Sequence, residues 1–367
     1  MKRGFTLVVL LVLYLLKAKA QDPTFSQSYN NPVYMNPALT GANNGLRINM
    51  SDMRQWTRVP GDINTASFSA DLKEDCSKVG LGISALHDDR GEGFLTTNQM
   101  GISASWSTPV IAKKLDFSFG LGANFGQKTL DWSKLEFSDQ LDPLLGKIIS
   151  TNAQPQNIGK SYLDINTGMS VKFSTNIGYG YTMLNNIGFA VHHLNRPDEG
   201  LIAESQMPAL YTIHAGSMIP IGKHWRDKGE FVFPYLVYNW QEIFNTTYQI
   251  QREIITGFYV FKNSLMYGVI YRDGYLPFYN GNSNQLGLSV GYQMPFRNTS
   301  HAFQVTYSYM FPFDGVSYSA LGTHEISLII MLDRVNVFCN GGGSDGGSGK
   351  GANKCFNDKR SGYIPQL

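Results

Sequence analysis

Charge is scarce in this chain. Asp, Glu, Lys and Arg make up 16% of its 367 residues, against ~25% in soluble proteins. The formal net charge is only +2, so there is no electrostatic pull toward nucleic acid. Long hydrophobic runs are missing too. Past residue 20 no stretch reaches the ~18 apolar residues that a membrane helix requires. If the chain crosses a membrane, it must do so as a closed barrel, because lipid offers no partners for open backbone N–H and C=O groups. Catalytic signatures are lacking: there is no G-x-S-x-G, no H-E-x-x-H and no Walker A sequence. His192 and His193 are adjacent and face opposite sides of any strand, as do His324 and Glu325, so neither pair makes a one-faced site. Glu136, Asp139 and Asp142 match no EF-hand spacing. The chain is read as non-enzymatic, without catalytic, cofactor-binding or metal-binding residues.

Cysteine is limited to Cys76, Cys339 and Cys355. In an exported chain these can oxidise. One pair and one leftover thiol is the simplest arithmetic, with Cys339–Cys355 favoured because it closes the Gly-rich stretch 340–354; three unpaired thiols is the alternative. No His stands near either tail Cys to suggest a metal.

What the chain does have is alternation. In Leu115-Asp116-Phe117-Ser118-Phe119-Gly120-Leu121-Gly122-Ala123 every second residue is apolar and the rest are small or polar. The pattern returns in 286–292 and 303–309. A strand sends successive side chains to opposite faces, so this period of two means one apolar and one polar face. With 38 Gly, 20 Tyr and 22 Phe, it predicts an all-β transmembrane barrel of about fourteen antiparallel strands. The mean hydropathy of −0.18 fits, because a polar inner face and polar loops offset the apolar outer face.

The first residues read as a secretory leader: Lys2 and Arg3, an apolar run over 5–16, and Ala18-Lys19-Ala20 as the cleavage site. The expected organisation is a signal peptide over 1–20, a non-barrel segment over 21–44, the barrel over 45–332 and a Gly-rich, Cys-containing tail over 333–367. Strands are expected at 46–56, 65–72, 79–86, 97–107, 115–126, 162–173, 186–193, 210–219, 231–238, 246–260, 265–272, 285–293, 302–310 and 323–331. If the first runs outward, short periplasmic turns alternate with longer outer connections and both termini are periplasmic. A short helix is expected over 140–149 in the longest outer loop. The inner positions are small (Gly, Ser, Asn, Thr), which leaves room for a polypeptide inside the barrel, either the segment 21–44 or a partner.

Several motifs resemble one family. Gln21-Asp22-Pro23-Thr24-Phe25-Ser26-Gln27 followed by Asn31-Pro32-Val33-Tyr34-Met35-Asn36-Pro37 is similar to the opening of PorP/SprF proteins of the Bacteroidetes type IX secretion and gliding motility systems. Arg54-Gln55-Trp56, Asp71, the strand 188–194, His214-Ala215-Gly216, Tyr271-Arg272 and Thr323-His324-Glu325-Ile326 fit in order. On that resemblance Asn31, Pro32, Asn36, Pro37, Arg54, Trp56, His324 and Glu325 are structural motif residues. The tail, longer than the family pattern, is a departure. The resemblance implies an outer-membrane barrel that binds the C-terminal domain of a secreted cargo, such as a large surface adhesin, and assists its export or anchors it. It also implies contact with the periplasmic ring or translocon of the machinery. Loop aromatics Trp132, Phe137, Tyr275, Phe278, Tyr279 and Tyr318 are the candidate partner contacts, because aromatic anchors carry much interface energy. The competing readings are an outer-membrane pore or small-solute transporter, and a periplasmic β-sandwich.

Overall fold

The alternation closes into a barrel. In a computed structural model, the described residues lie between 23 and 332. They leave out 44, 59–60, 74–76, 92–94, 112–113, 136, 143–145, 148–158, 179–180, 202–203, 222–229, 243–249, 263, 277–280, 296–300 and 314–321. The stretch expected as a leader, the tail and all three cysteines therefore lie outside the described residues.

The strands are β1 (Gly45–Gln55), β2 (Ile63–Lys73), β3 (Val79–Arg90), β4 (Leu95–Ile111), β5 (Leu115–Leu130), β6 (Leu141–Asp142), β7 (Gly146–Lys147), β8 (Gly159–Gly178), β9 (Tyr181–His192), β10 (Leu210–Pro220), β11 (Phe231–Glu242), β12 (Ile250–Lys262), β13 (Leu265–Leu276), β14 (Gly281–Pro295), β15 (Ala302–Pro312) and β16 (Thr323–Leu332). All except β6 and β7 form one closed sheet in which sequence neighbours pair. The seam is β1 against β16, antiparallel from Leu46↔Leu332 to Gln55↔Thr323. The sheet is thus a fourteen-stranded up-and-down barrel with no open edge.

The faces are inverted relative to a soluble protein. Met100 and Ile102 of β4 are 73% and 68% exposed, and Leu288, Val290 and Tyr292 of β14 also point outward and bare. Inward positions on the same strands are Gly101, Ser103, Ser289 and Gly291. Such a bare apolar belt suits lipid. Tyr211 on β10 stacks on Trp240 of β11 at 5.1 Å, and Phe189 of β9 joins them. These rings lie near the ends of their strands, where aromatic girdles sit.

The fourteen-strand count agrees with expectation, and the bounds differ. β4 and β8 run several residues past the apolar alternation, because backbone pairing continues beyond the part of the wall that must be apolar. β9 begins at Tyr181 rather than 186. Among the described residues of 140–149 there is no helix: a 3-10 turn at Ser138–Gln140 is followed by the small β6–β7 ladder. Pro143 supplies the reason, since the residue before a proline is driven to extended backbone.

A larger difference concerns the inner face. It is mostly small and polar on β1–β5 and β8–β9, with Arg47, Met53 and Leu86 as larger exceptions, but β11–β13 point Phe231, Phe233, Tyr235, Ile255, Tyr259, Phe261, Met266 and Ile270 inward. β11 is apolar on both faces, so its alternation could not reveal the interior. One half of the lumen is therefore a conventional apolar core.

Candidate functional site: an occupied lumen

That core is completed by the chain's own N-terminal segment. Residues 25–41 are buried inside the barrel, apart from half-buried Tyr34. Three short turns, Ser28–Asn30, Pro32–Met35 and Pro37–Leu39, make the segment compact. Pro32 and Pro37 each stand at the start of a turn, where a missing N–H costs nothing. Asn36 caps the last turn by accepting from the Ala38 N–H at 2.8 Å. Tyr29, Met35 and Leu39 pack into the apolar cluster of β10–β13 and β15. Phe25 packs with Met53, Leu86 and Tyr34 on the other side.

Neutral amides and hydroxyls fix the rest. Asn31 Nδ2 donates to Ser51 Oγ at 3.1 Å, and its Oδ1 accepts from Ser67 Oγ at 3.1 Å. Asn36 Nδ2 donates to the carbonyl of Met169 at 3.1 Å and lies 3.0 Å from His214 Nε2. Glu325 is buried in the lumen, where one carboxylate oxygen accepts from Ser26 Oγ and from the Gln27 N–H. The wall opposite is pared to glycine. A Cβ on Gly120 would lie 2.3 Å from the Ala38 nitrogen, and one on Gly168 would lie 2.0 Å from Asn36 Oδ1. Ser105 Oγ donates to the Thr40 carbonyl, and Lys172 Nζ to that of Ala42 at 2.9 Å, where the chain leaves for β1.

The barrel has two unlike ends. Gly45 and Leu332 mark one, where most connections are brief. The other carries the long connections 131–158 and 193–209. Phe25 is level with Met53, near the long-loop end of β1, so the described chain begins in one half of the barrel and enters its first strand in the other.

The loop 193–209 is a built structure. Asp198 accepts from Lys160 Nζ at 2.8 Å and from the Ser205 and Gly200 N–H groups, and Lys128 Nζ donates to Glu199 at 2.9 Å. The Lys160 hydrogen bond, followed by the two backbone donors, holds the Asp198 carboxyl down at about 2. His193 opens the loop with a φ of 57°. Its Nδ1 lies 3.0 Å from Asp164 Oδ1, and its N–H donates to Asn166 Oδ1 at 3.0 Å.

Beside the segment, toward the long-loop end, is a cleft with about 890 Å³ of empty space, part of it open to solvent. The walls of β3–β5 and β8–β11 supply Gln99, Asn124, Asn166 and Asn239 to it, and the segment supplies Phe25 and Tyr34.

The motif residues separate into two groups. Asn31, Pro32, Asn36, Pro37 and Glu325 meet in the lumen. Arg54, Trp56 and His324 do not join them. Arg54 lies 3.6 Å from Asp52 on the outer face, Trp56 ends β1 exposed with a φ of 61°, and His324 bonds the Tyr307 hydroxyl at 2.8 Å. Of the candidate partner contacts, Trp132 and Phe137 pack on each other at 5.0 Å. Tyr275 lies on β13 opposite Arg252, its side chain outside the description, and Phe278, Tyr279 and Tyr318 are outside the described residues. Sequence reasoning missed Arg47 and Asp164 as lumen residues, and it read Gly120 only as one of the small inward positions, not as a site where the segment touches the wall. Their inward phase on alternating strands was the available signal.

The fold and the filled interior define a class: a closed transmembrane β-barrel whose N-terminal segment lies in its own lumen. Residues 17–330 match the type IX secretion system membrane protein PorP/SprF family, and the chain belongs to that family. It is an outer-membrane protein of that secretion family. No curated protein matches significantly. Solved structures with a similar course include the CymD monoaromatic hydrocarbon channel (13% identity, 84% of this chain and 93% of that one, TM-score 0.45). A Pseudomonas aeruginosa FadL homologue (10%, 79% and 90%, 0.41) and CdiB from Acinetobacter baumannii (8%, 78% and 60%, 0.42) are comparable.

Proposed function

We propose that this barrel binds a secreted cargo protein of the type IX system through the cargo's C-terminal domain, and assists its export or anchors it at the cell surface. The observation that carries the reading is the occupied lumen. Asn36 and Pro37 press on glycines of the wall so closely that a methyl group would collide. A barrel filled in this way is suited to holding a partner at its mouth rather than to passing solutes.

On this reading the long-loop end faces the outside, and Gly45 and Leu332 lie on the periplasmic side. Trp132, Phe137, Tyr275, Phe278, Tyr279 and Tyr318 are the proposed contacts on the outer connections. The short turns and the tail 333–367 are the surfaces proposed to meet the periplasmic ring or translocon.

The test is an affinity pull-down of the tagged barrel from detergent-extracted native outer membrane, read by mass spectrometry. Recovery of one large secreted protein, through a fragment that ends at its C-terminus, is the expected result. Recovery of the barrel alone, under conditions that keep other membrane complexes intact, together with steady ion conductance in a planar bilayer, would overturn the reading in favour of a pore.

A further inference from the structure

The lumen already binds one polypeptide, and it does so in a particular chemical style. Asn31, Asn36 and Gln27 of the segment meet Ser51, Ser67, Ser308 and main-chain carbonyls of the wall. Neutral amides and hydroxyls can both donate and accept, so they satisfy the alternating N–H and C=O groups of a backbone whatever its side chains. The cleft beside the segment carries the same kinds of group in space that the segment does not fill: Gln99, Asn124, Asn166, Thr212 and Asn239 line it, with Ser103 at its floor. Asn166 is engaged by Asp164 and the His193 N–H, Thr212 and Asn239 by each other and by Glu253, and Gln99 Nε2 by the Tyr162 hydroxyl, so Gln99 Oε1 and the Asn124 amide are the groups offered to a ligand.

Among the described residues that line the cleft there is no Lys or Arg. Its one carboxylate, Asp164, accepts from Asn166 Nδ2 at 3.2 Å and lies 3.0 Å from His193 Nδ1. No lysine or arginine offers an anionic ligand a counter-charge, and the two imidazoles of the lining are engaged already, His192 with the Met35 carbonyl and His193 beside Asp164, so burial penalises an anion there. Residues 36–42, packed on Gly120 and Gly80, close it toward the Gly45 end, so entry is from the long-loop side.

We infer that the cleft is a second polypeptide site, which takes a short, extended, uncharged segment of the secreted partner alongside the barrel's own N-terminal segment. This rests on the cargo reading above and says where and by what chemistry the cargo is held. Phe25 and Tyr34 provide apolar contact for its side chains, and Gln99 Oε1 and the Asn124 amide provide backbone recognition.

Gly122 gives the test. A Cβ there meets nothing closer than Pro37 Cγ at 3.6 Å and Asn166 Cβ at 3.7 Å, so the position admits a side chain on the cleft side, and unchanged protease protection of residues 23–42 is the check that a larger one leaves the segment in place. Its neighbour Leu121 faces lipid. The experiment compares Gly122→Phe and Leu121→Phe, both checked for intact barrel by heat-modifiable mobility, for affinity toward the secreted protein recovered with the wild type. It adds a cryo-EM map of the full wild-type complex. Gly122→Phe should weaken binding roughly tenfold or more, Leu121→Phe should not, and polypeptide main chain continuous with the partner should occupy the cleft. Undiminished binding by Gly122→Phe, or sugar, lipid or empty space in the cleft of a complexed barrel, overturns the inference and leaves the cargo reading standing. A wild-type barrel that captures no secreted protein overturns both.

Discussion

Arg47 of β1 and Asp71 of β2 stand directly opposite in the ladder and meet inside the barrel through two N–H···O bonds of 2.8 Å. Both side chains are essentially inaccessible. The pair also holds the segment: Arg47 donates to the Leu39 carbonyl at 3.0 Å, and Asp71 accepts from the Gly41 N–H at 2.6 Å. Removing one partner strands a buried charge. Arg47→Met should therefore destabilise the barrel by about 3–5 kcal/mol, read by urea unfolding in detergent or lipid. Arg47→Met with Asp71→Leu should recover part of that loss, because neither charge is then left alone.

Neighbouring glycines on β5 should behave differently. Gly120→Ala drives a methyl group into the backbone at Pro37 and Ala38. Overpacking of this kind costs about 1–3 kcal/mol, and the yielding part is the segment. Protease cleavage within 23–42 and bilayer conductance should both rise. Gly122→Ala, with only ordinary contacts around it, should leave both unchanged.

The loop 193–209 has a predictable response to acid. The Asp198 carboxyl is held at about 2, below its ordinary 3.8. A depressed carboxyl contributes stability that is fully present above the unfolded value and is lost as pH falls through the folded one. The loop should keep its amide-exchange protection at Ser205 and Gly200 down to about pH 4 and lose it between about 4 and 2. Asp198→Asn should weaken the loop at neutral pH and abolish that acid transition.

For the tail we propose the pairing Cys339–Cys355. A peptide map of the unreduced mature protein should contain that linked pair and a free Cys76. Finding Cys76 in the linkage, or all three thiols alkylated without reduction, would discard it.

The membrane-facing half of the architecture was legible because lipid imposes a strict rule: the outward residues in the middle of β4, β5, β14 and β15 had to be apolar, and the alternation states this openly. The inside obeys no single rule. Phe233, Tyr235 and Tyr259 look like further wall residues in sequence, and only the position of Tyr29 among them makes them core. Arg47 was invisible as a partner of Asp71 because the register of β1 on β2 joins residues 24 apart in sequence. The glycines of β5 could be read as strand residues, but not as sites of close backbone approach until the segment lay against them. The Asn and Pro residues before β1 were noticed through resemblance alone, since they have no periodicity to exploit.

The segment 23–42 is, in thermodynamic terms, a ligand joined by a covalent tether. It binds the folded barrel and has no pocket in the unfolded chain, so its affinity is added to the apparent stability of the wall. The tether gives it a high effective concentration without any need for strong intrinsic binding. Barrel and segment therefore form a linked equilibrium. A wall freed of the segment should melt earlier, and a synthetic peptide of the same sequence, added from outside, should restore the melting temperature in a saturable, concentration-dependent way.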